Sequence, residues 1–197
     1  MKNNEFTADN YVREELKFNP VNEQLFSVLV LVIAVIVFGA PFLLIWFDSW
    51  QILFDNLGAG LENRILNIGI ITVVFILGVI VHKLLHGIFY AIFTKHGFKA
   101  TKFGVGKGYA YCETREIMRT KHFIVGLMVP MIILGIIPSI VSIFTGNVNL
   151  LAFGIVFTAA GAGDTLILTR IFRDRNETWF ENLPSILEWN VYRPIRN

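Results

Sequence analysis

Two histidines spaced as neighbours on one helix face raise the question of a metal site. His82 and His86 lie four residues apart in the apolar stretch VHKLLHGIFYAIF. Residues at i and i+4 share a helix face, so both imidazoles can point at one ion. Two imidazoles, a carboxylate and a water form an open catalytic zinc site. The alternative is that these histidines only hydrogen-bond to neighbouring helices.

Asp164, in the apolar sequence FTAAGAGDTLIL, is the candidate third ligand. Ionisable groups are costly inside a membrane and normally face a partner. If the two helices end near Phe93 and Ile171, His86 and Asp164 both lie about 10 Å from those ends. The alanines and glycines before Asp164 would allow a close helix contact. A salt bridge to Lys83 explains the carboxylate as well, and both interpretations stay open.

The composition places these residues in a membrane protein. Of 197 residues, 54% are hydrophobic and 16% are charged, and Phe occurs 18 times, which is too apolar for an ordinary soluble domain. The single cysteine, Cys112, excludes an internal disulfide and a thiolate cluster, so any metal must use His and carboxylate ligands. Nothing in the sequence indicates a nucleic-acid partner.

Four apolar segments are long enough to cross a bilayer core of about 30 Å. They are Leu25 to Phe47, Ile65 to about Phe93, Phe123 to Phe144 and Leu150 to about Ile171. The third holds Pro130 and Pro138, which should bend it unless neighbouring helices satisfy the freed carbonyls. We therefore predict an all-α membrane protein with an N-terminal tail (1–24), a transmembrane domain of four helices (25–171) and a C-terminal tail (172–197).

The positive charges predict the orientation of these spans. Most of the 17 Lys and Arg residues lie in the two tails and in the loop between the second and third spans. The positive-inside rule places those three segments in the cytoplasm. We expect an integral protein of a bacterial cell membrane, in contact with the lipid bilayer, with both termini cytoplasmic.

The long basic loop contains a hairpin signal. In KFGVGKGYAYCE, large apolar and aromatic residues alternate on both sides of a Gly-Lys-Gly turn. This pattern is typical of a short β-hairpin. The alternative is a solvated basic loop near anionic lipid headgroups.

Four ordered motifs resemble a known family. HKLLHG, AYCE, HFIVGLMVP and AAGAGDTLI look like those of the putative zincin peptidases, small four-helix membrane proteins similar in plan to the site-2 intramembrane metalloproteases. The resemblance covers roughly residues 70 to 175. That family carries H-E-x-x-H on one helix and an acidic ligand on a later one. The resemblance therefore implies zinc bound by His82, His86 and Asp164.

Lys83 departs from the family pattern, because it occupies the position of the motif glutamate. The glutamate takes a proton from the attacking water and delivers it to the leaving amine, which an ammonium group cannot do. A cation beside a dication also raises the cost of binding the metal. A neutral, buried Lys83 is one substitute base, and Glu113 or Glu116 from the adjacent loop is another.

Three functions are consistent with these residues. We expect first a metallopeptidase homologue impaired by Lys83, whose cleft binds a transmembrane or juxtamembrane polypeptide without cutting it. The second is an active intramembrane zinc peptidase with a substitute base. The third is a metal-free structural or binding protein in which Lys83 and Asp164 form an ion pair between helices.

Overall fold

The computed structural model describes residues 10–17, 20–47, 61–106, 109–172, 178–182 and 188–195. Most of these residues are helical, and two small antiparallel sheets accompany the helices. The helices are α1 (Pro20–Ala34), α2 (Ala40–Ile45), α3 (Leu61–Phe93), α4 (Thr120–Pro130), α5 (Ile137–Thr145), α6 (Val148–Ala160) and α7 (Ala162–Ile171). The strands are β1 (Tyr11–Lys17), β2 (Thr101–Gly106), β3 (Tyr109–Thr114), β4 (Met118–Arg119), β5 (Trp179–Asn182) and β6 (Glu188–Pro194).

Among the described residues, three helical stretches are long and apolar enough to cross a membrane. They are Gln24–Ile45, Ile65–Phe93 and Thr120–Thr145. The helices α6 and α7 meet the same criteria only as a pair, bent by 43°. The described part of the chain therefore holds three candidate spans, or four if the bent pair is one span. The predicted fourth segment is thus a broken helix with Gly161 at the break.

The third stretch stays helical through both of its prolines. Pro130 is the last residue of α4, and a π-helical segment, Met131–Ile136, follows it. Pro138 lies in the first turn of α5, where a helix does not need the missing N–H. The hydrogen-bond pattern thus changes locally after Pro130.

A tight turn joins α5 to α6. Gly146 ends α5 in the left-handed region at φ 69°, which a glycine adopts without steric cost. The Asn147 side chain then accepts a hydrogen bond from the Leu150 backbone N–H at 3.0 Å. This N-cap satisfies one of the free donors at the start of α6.

The expectation of an all-α chain is corrected by a four-stranded antiparallel sheet, the terminal sheet, with strand order β1-β6-β5-β4. Its strands β1 and β6 come from segments expected to be polar tails, and Tyr11 pairs with Pro194. Both strands contain charged residues, YVREELK and EWNVYRP, and carry little of the alternation that marks a strand. Pairing between distant parts of the chain stabilises them instead.

The second sheet is the hairpin formed by β2 and β3. The two strands are antiparallel, with Phe103 opposite Cys112. The pairing agrees with the alternation in the basic loop, although residues 107 and 108 of the turn lie outside the described residues. The position of the hairpin on the cytoplasmic side stays a prediction.

The described elements form two compact units. The first unit contains both sheets, α3 from Lys83 onward, nearly all of α4 and α7, and in its core Tyr90 and Phe123 pack with Phe180 and Val191. The second unit contains most of α1 together with α2, the preceding part of α3, α5 and α6, with Phe42, Val148 and Leu151 in its core.

Candidate metal centre

The helix α3 positions both histidines. It is uninterrupted from Leu61 to Phe93, so the i, i+4 spacing holds His82 and His86 on one face. Both side chains are buried, with 4% and 3% of their surface exposed. Buried imidazoles in an apolar helix need polar partners.

A backbone carbonyl of α4 orients His86. The Nδ1–H of His86 donates a hydrogen bond to the Gly126 carbonyl oxygen at 3.0 Å. With the proton on Nδ1, the lone pair of Nε2 is available to a metal, which is the usual arrangement around a ligating histidine. A Cβ on Gly126 would lie 2.6 Å from Cε1 of Tyr90. Glycine therefore lets the α4 backbone come close enough to make this bond.

Asp164 meets the same histidine. Its Oδ2 lies 3.4 Å from Nε2 of His86, in the first turn of α7. The break before α7 therefore places the carboxylate at a helix N-terminus, where the helix dipole favours negative charge. In a tetrahedral zinc site with bonds of about 2.0–2.1 Å, two ligand atoms lie about 3.4 Å apart. The separation between His86 and Asp164 fits such a site.

Each of the three predicted ligands contributes one atom to a compact group. The ligand atoms of His82, His86 and Asp164 all lie within 4.8 Å of one another. Two imidazole nitrogens and one carboxylate oxygen suit zinc and leave a fourth position for water or substrate. We call these three residues the ligand group; its donor atoms suit zinc and lie near enough to one another to hold an ion.

Lys83 lies near Cys112 of β3. The Asp164 carboxylate lies beside His86, whereas the half-buried Lys83 acts electrostatically on the thiol of Cys112. Burial raises the pKa of Cys112 to about 12, although the Lys83 ammonium works in the opposite direction. Lys83 thus places a positive charge close to Cys112 in β3.

The two glutamates considered as substitute bases are engaged at the hairpin. Oε1 of Glu113 lies 3.5 Å from Nζ of Lys102. Glu116 accepts a hydrogen bond from the Lys95 backbone N–H at 2.7 Å and pairs with the His96 side chain. Burial tends to raise the pKa of Glu116, but the bonds to His96 and Lys95 outweigh it and lower the pKa overall.

The hairpin packs next to α3, which we call the ligand helix because it carries His82 and His86. A Cβ on Gly87, the residue after His86, would lie 2.0 Å from Cζ of Phe103. The Phe103 ring of β2 therefore occupies the space that a side chain at position 87 would fill. The two glycines, 87 and 126, were missed by reasoning from reactive residue types, and their presence in HKLLHG and HFIVGLMVP was the available signal.

Comparison with known proteins assigns the chain to a family. The profile of the putative zincin peptidase family matches residues 75–179, a range that includes the ligand group, Lys83 and the hairpin. No curated protein and no solved structure gives a significant match. The matched residues are more than half of the chain. The chain therefore belongs to the putative zincin peptidase family.

Proposed function

We propose that this protein is an integral membrane zincin homologue that binds zinc but is impaired in peptide hydrolysis. The observation that carries the proposal is a compact group of His82, His86 and Asp164 with Lys83 at the position of the motif glutamate. Such a protein would bind a transmembrane or juxtamembrane polypeptide as a client and leave it uncut.

The proposal follows from what each residue can do. Zinc, when bound, would supply a Lewis acid for a peptide carbonyl and for water. His82, His86 and Asp164 would hold it, and the Gly126 carbonyl would keep the His86 ring in the correct tautomer. Position 83 would have to take a proton from the attacking water, and an ammonium group has no site to accept one.

The contacts of the nearby glutamates support impairment. Glu113 is paired with Lys102, and Glu116 is paired with His96. Moving either carboxylate to the ligand group would break those interactions. An active enzyme with one of these residues as its base would therefore need the hairpin to rearrange.

The terminal sheet supports four membrane crossings. The strand β1 precedes the first apolar helix, β6 follows the last one, and the two strands pair from Tyr11–Pro194 to Lys17–Glu188. Strands paired in one sheet lie on one side of a membrane, so the chain between them crosses an even number of times. The bent pair α6–α7 is then the fourth crossing, and the positive-inside rule places the sheet in the cytoplasm of a bacterial cell.

The hairpin offers a way to hold a polypeptide client. In the described part of the chain, β2 pairs with β3 and its other edge is open. An extended peptide can add to such an edge through backbone hydrogen bonds. Because Phe103 of β2 lies against Gly87, the residue after His86, a peptide added there would pass near the ligand helix.

The first test is zinc stoichiometry by elemental analysis of detergent-purified protein. We expect about one zinc per chain, since a buried set of two histidines and one carboxylate binds zinc tightly. The Asp164→Ala variant should lose most of it, and a Glu15→Ala variant, changed on an exposed strand, is the matched control. Absence of zinc from the unmodified chain after incubation with excess metal would contradict zinc binding and favour the metal-free function.

The second test restores the missing base. We expect the Lys83→Glu variant to cleave casein, used as an unfolded polypeptide, and a chelator or an added His86→Ala change to abolish that cleavage. The unmodified chain should show no cleavage. Chelator-sensitive cleavage by the unmodified chain that is lost on His86→Ala would instead establish an active peptidase with a substitute base.

A further inference from the structure

The hairpin has one polar and one apolar face. Side chains alternate between the faces of a strand, and paired residues share a face. Lys102 and Glu113 are opposite each other and form an ion pair on the polar face. Phe103 and Cys112 are opposite each other on the other face, which Val105 shares with Phe103 by the period of two.

Only part of the apolar face is covered by the protein. The Phe103 ring lies against Gly87, and Cys112 packs against the core cluster that contains Tyr90. Val105, further along β2, is 82% exposed. Phe98, in the 3₁₀ turn Gly97–Ala100 that leads into β2, is 62% exposed. Apolar side chains this exposed to water would lose the free energy that burial gives them.

The contact with Gly87 fixes the depth of the hairpin. Gly87 lies six residues before Phe93, where the candidate span Ile65–Phe93 ends. At the helical rise, this is about 9 Å inside the span. Its neighbours Leu84 and Ile88 are exposed on the surface of α3. The apolar face of β2 therefore continues the outer surface of a membrane helix.

The charges near this surface fit a bilayer interface. Lys95 and Lys99 are exposed on either side of Phe98, just after the end of α3. Lysine side chains at such a position reach toward anionic headgroups while apolar neighbours enter the lipid. The Glu116 carboxylate faces the same turn, but it is occupied by His96 and the Lys95 backbone N–H.

We propose that the hairpin is inserted into the bilayer interface by its apolar face. Val105 and Phe98 lie among lipid acyl chains, and Lys95 and Lys99 bind anionic headgroups. The lipid thereby forms one boundary of the space beside the ligand helix. This inference rests on the proposed membrane location of α3.

Spin-label accessibility tests the insertion on the full chain in vesicles of phosphatidylcholine and phosphatidylglycerol. A nitroxide is attached after Val105→Cys, after Leu77→Cys in the middle of α3, or after Glu15→Cys on β1. Collision with oxygen, which concentrates in lipid, is compared with collision with a nickel chelate, which stays in water. We expect position 105 to show an oxygen-to-nickel ratio several-fold above that of position 15, as position 77 does.

The other outcomes separate this inference from the membrane proposal. A ratio at position 105 equal to that at position 15, with position 77 in lipid, would overturn the insertion alone. A label at position 105 shielded from both reagents would also overturn it, because polypeptide would then cover the face. A ratio at position 77 equal to that at position 15 would contradict the membrane location of α3 itself.

The cysteine background and the lipid charge provide controls. The measurements are made with Cys112→Ala and repeated in the unmodified background, where the high pKa of Cys112 limits labelling of that thiol. Removing phosphatidylglycerol should lower the oxygen-to-nickel ratio at position 105 and leave position 77 unchanged. An identical ratio at position 105 in both lipids would overturn the binding of anionic headgroups.

Discussion

At the residue scale, the ligand group depends on a glycine that offers no side chain of its own. The Gly126 carbonyl accepts the hydrogen bond that fixes His86, and the missing Cβ leaves room for Tyr90. Tyr90 is itself stacked between His86, at 5.8 Å, and Phe123, at 5.3 Å. A larger residue at position 126 would therefore collide with the Tyr90 ring, which its stacked neighbours hold in place.

We expect Gly126→Ala to weaken zinc binding by about 10–100-fold, as loss of a supporting bond to a metal-ligating histidine does. The new Cβ would meet Tyr90 at 2.6 and 2.7 Å and push α4 away from His86. The measurement is competition for zinc against a chromophoric chelator. Gly69→Ala, with nothing within 4 Å of its Cβ, is the control. Unchanged affinity in a folded Gly126→Ala protein would contradict the positioning role.

The thiol of Cys112 gives a second prediction at this scale. Its pKa of about 12 compares with about 8.5 for a free thiol, so at pH 7.5 iodoacetamide should react roughly a thousandfold more slowly with the folded than with the unfolded protein. Equal rates in the two states would contradict burial of the thiol.

The same shift predicts how stability depends on pH. The folded state holds the Cys112 proton more tightly than the unfolded state, so the stabilisation is complete below about pH 8.5 and is lost as the pH rises toward 12. The unfolding temperature in detergent should therefore fall across this window. In Cys112→Ala the fall should be shallower, and an identical slope in both proteins would refute the linkage.

The sequence was sufficient to propose the reactive residues and insufficient to find their supports. His82, His86 and Asp164 stand out because polar and charged groups are costly in apolar segments. Gly87 and Gly126 are inconspicuous in a chain with 16 glycines. Their role lies in what a Cβ would touch, which depends on how the helices approach each other.

At the scale of elements, α5, α6 and the π-helical segment before them pack with their backbones in close contact. A Cβ on Gly154 of α6 would lie 2.3 Å from Oγ of Ser139 and 2.8 Å from the Gly135 carbonyl oxygen. The buried hydroxyls of Ser139 and Thr158 donate hydrogen bonds to the carbonyl oxygens of Gly135 and Gly154, at 2.9 and 2.8 Å. The small residues thus allow the backbones of these helices to approach closely, as small residues do in membrane helix pairs.

We expect Gly154→Ala to lower the free energy of unfolding by about 1–3 kcal/mol, the usual cost of overpacking a tight contact. The obstructing atoms include the Ser139 backbone N at 2.6 Å, which cannot rotate away as a flexible side chain would. Thermal unfolding in detergent micelles measures the change. Gly69→Ala should be neutral or stabilising, and an equal effect of both substitutions would argue against close packing at position 154.

Elements differ in how well the sequence predicts them. Long apolar runs indicated every helical stretch that could span a membrane, because few other structures tolerate so many apolar residues. Period-two alternation indicated β2 and β3. The strands β1 and β6 were missed because their pairing partners lie at opposite ends of the chain, and their charged sequences gave no local signal.

At the scale of the whole molecule, the terminal sheet makes the two ends of the chain a single structural region. Tyr11 is paired with Pro194, and the Asn10 carbonyl accepts a hydrogen bond from the Ile195 N–H. Any topology for the helices between them must return the chain to the side of the membrane on which it started. Cysteine accessibility tests this constraint directly.

We expect Glu15→Cys and Ile195→Cys to resist a membrane-impermeant maleimide in intact cells and to react after the membrane is opened. Asn149→Cys, exposed near the start of α6, should react in intact cells, since the proposed four crossings would place that turn outside. Each change is made with Cys112→Ala. Different behaviour at positions 15 and 195 would be incompatible with pairing of β1 and β6 in the membrane-inserted protein.

The pairing of the first strand with the last also sets an order of events during synthesis. A ribosome makes β1 before all the described helices and β6 after all of them, so the terminal sheet cannot close until β6 has been made. Phe180 and Val191, which belong to the same core cluster as Tyr90, are made late. A nascent chain would carry His82, His86 and Asp164 before the core of the first unit is complete, and the proposed zinc site would mature only after β5 and β6 have been made.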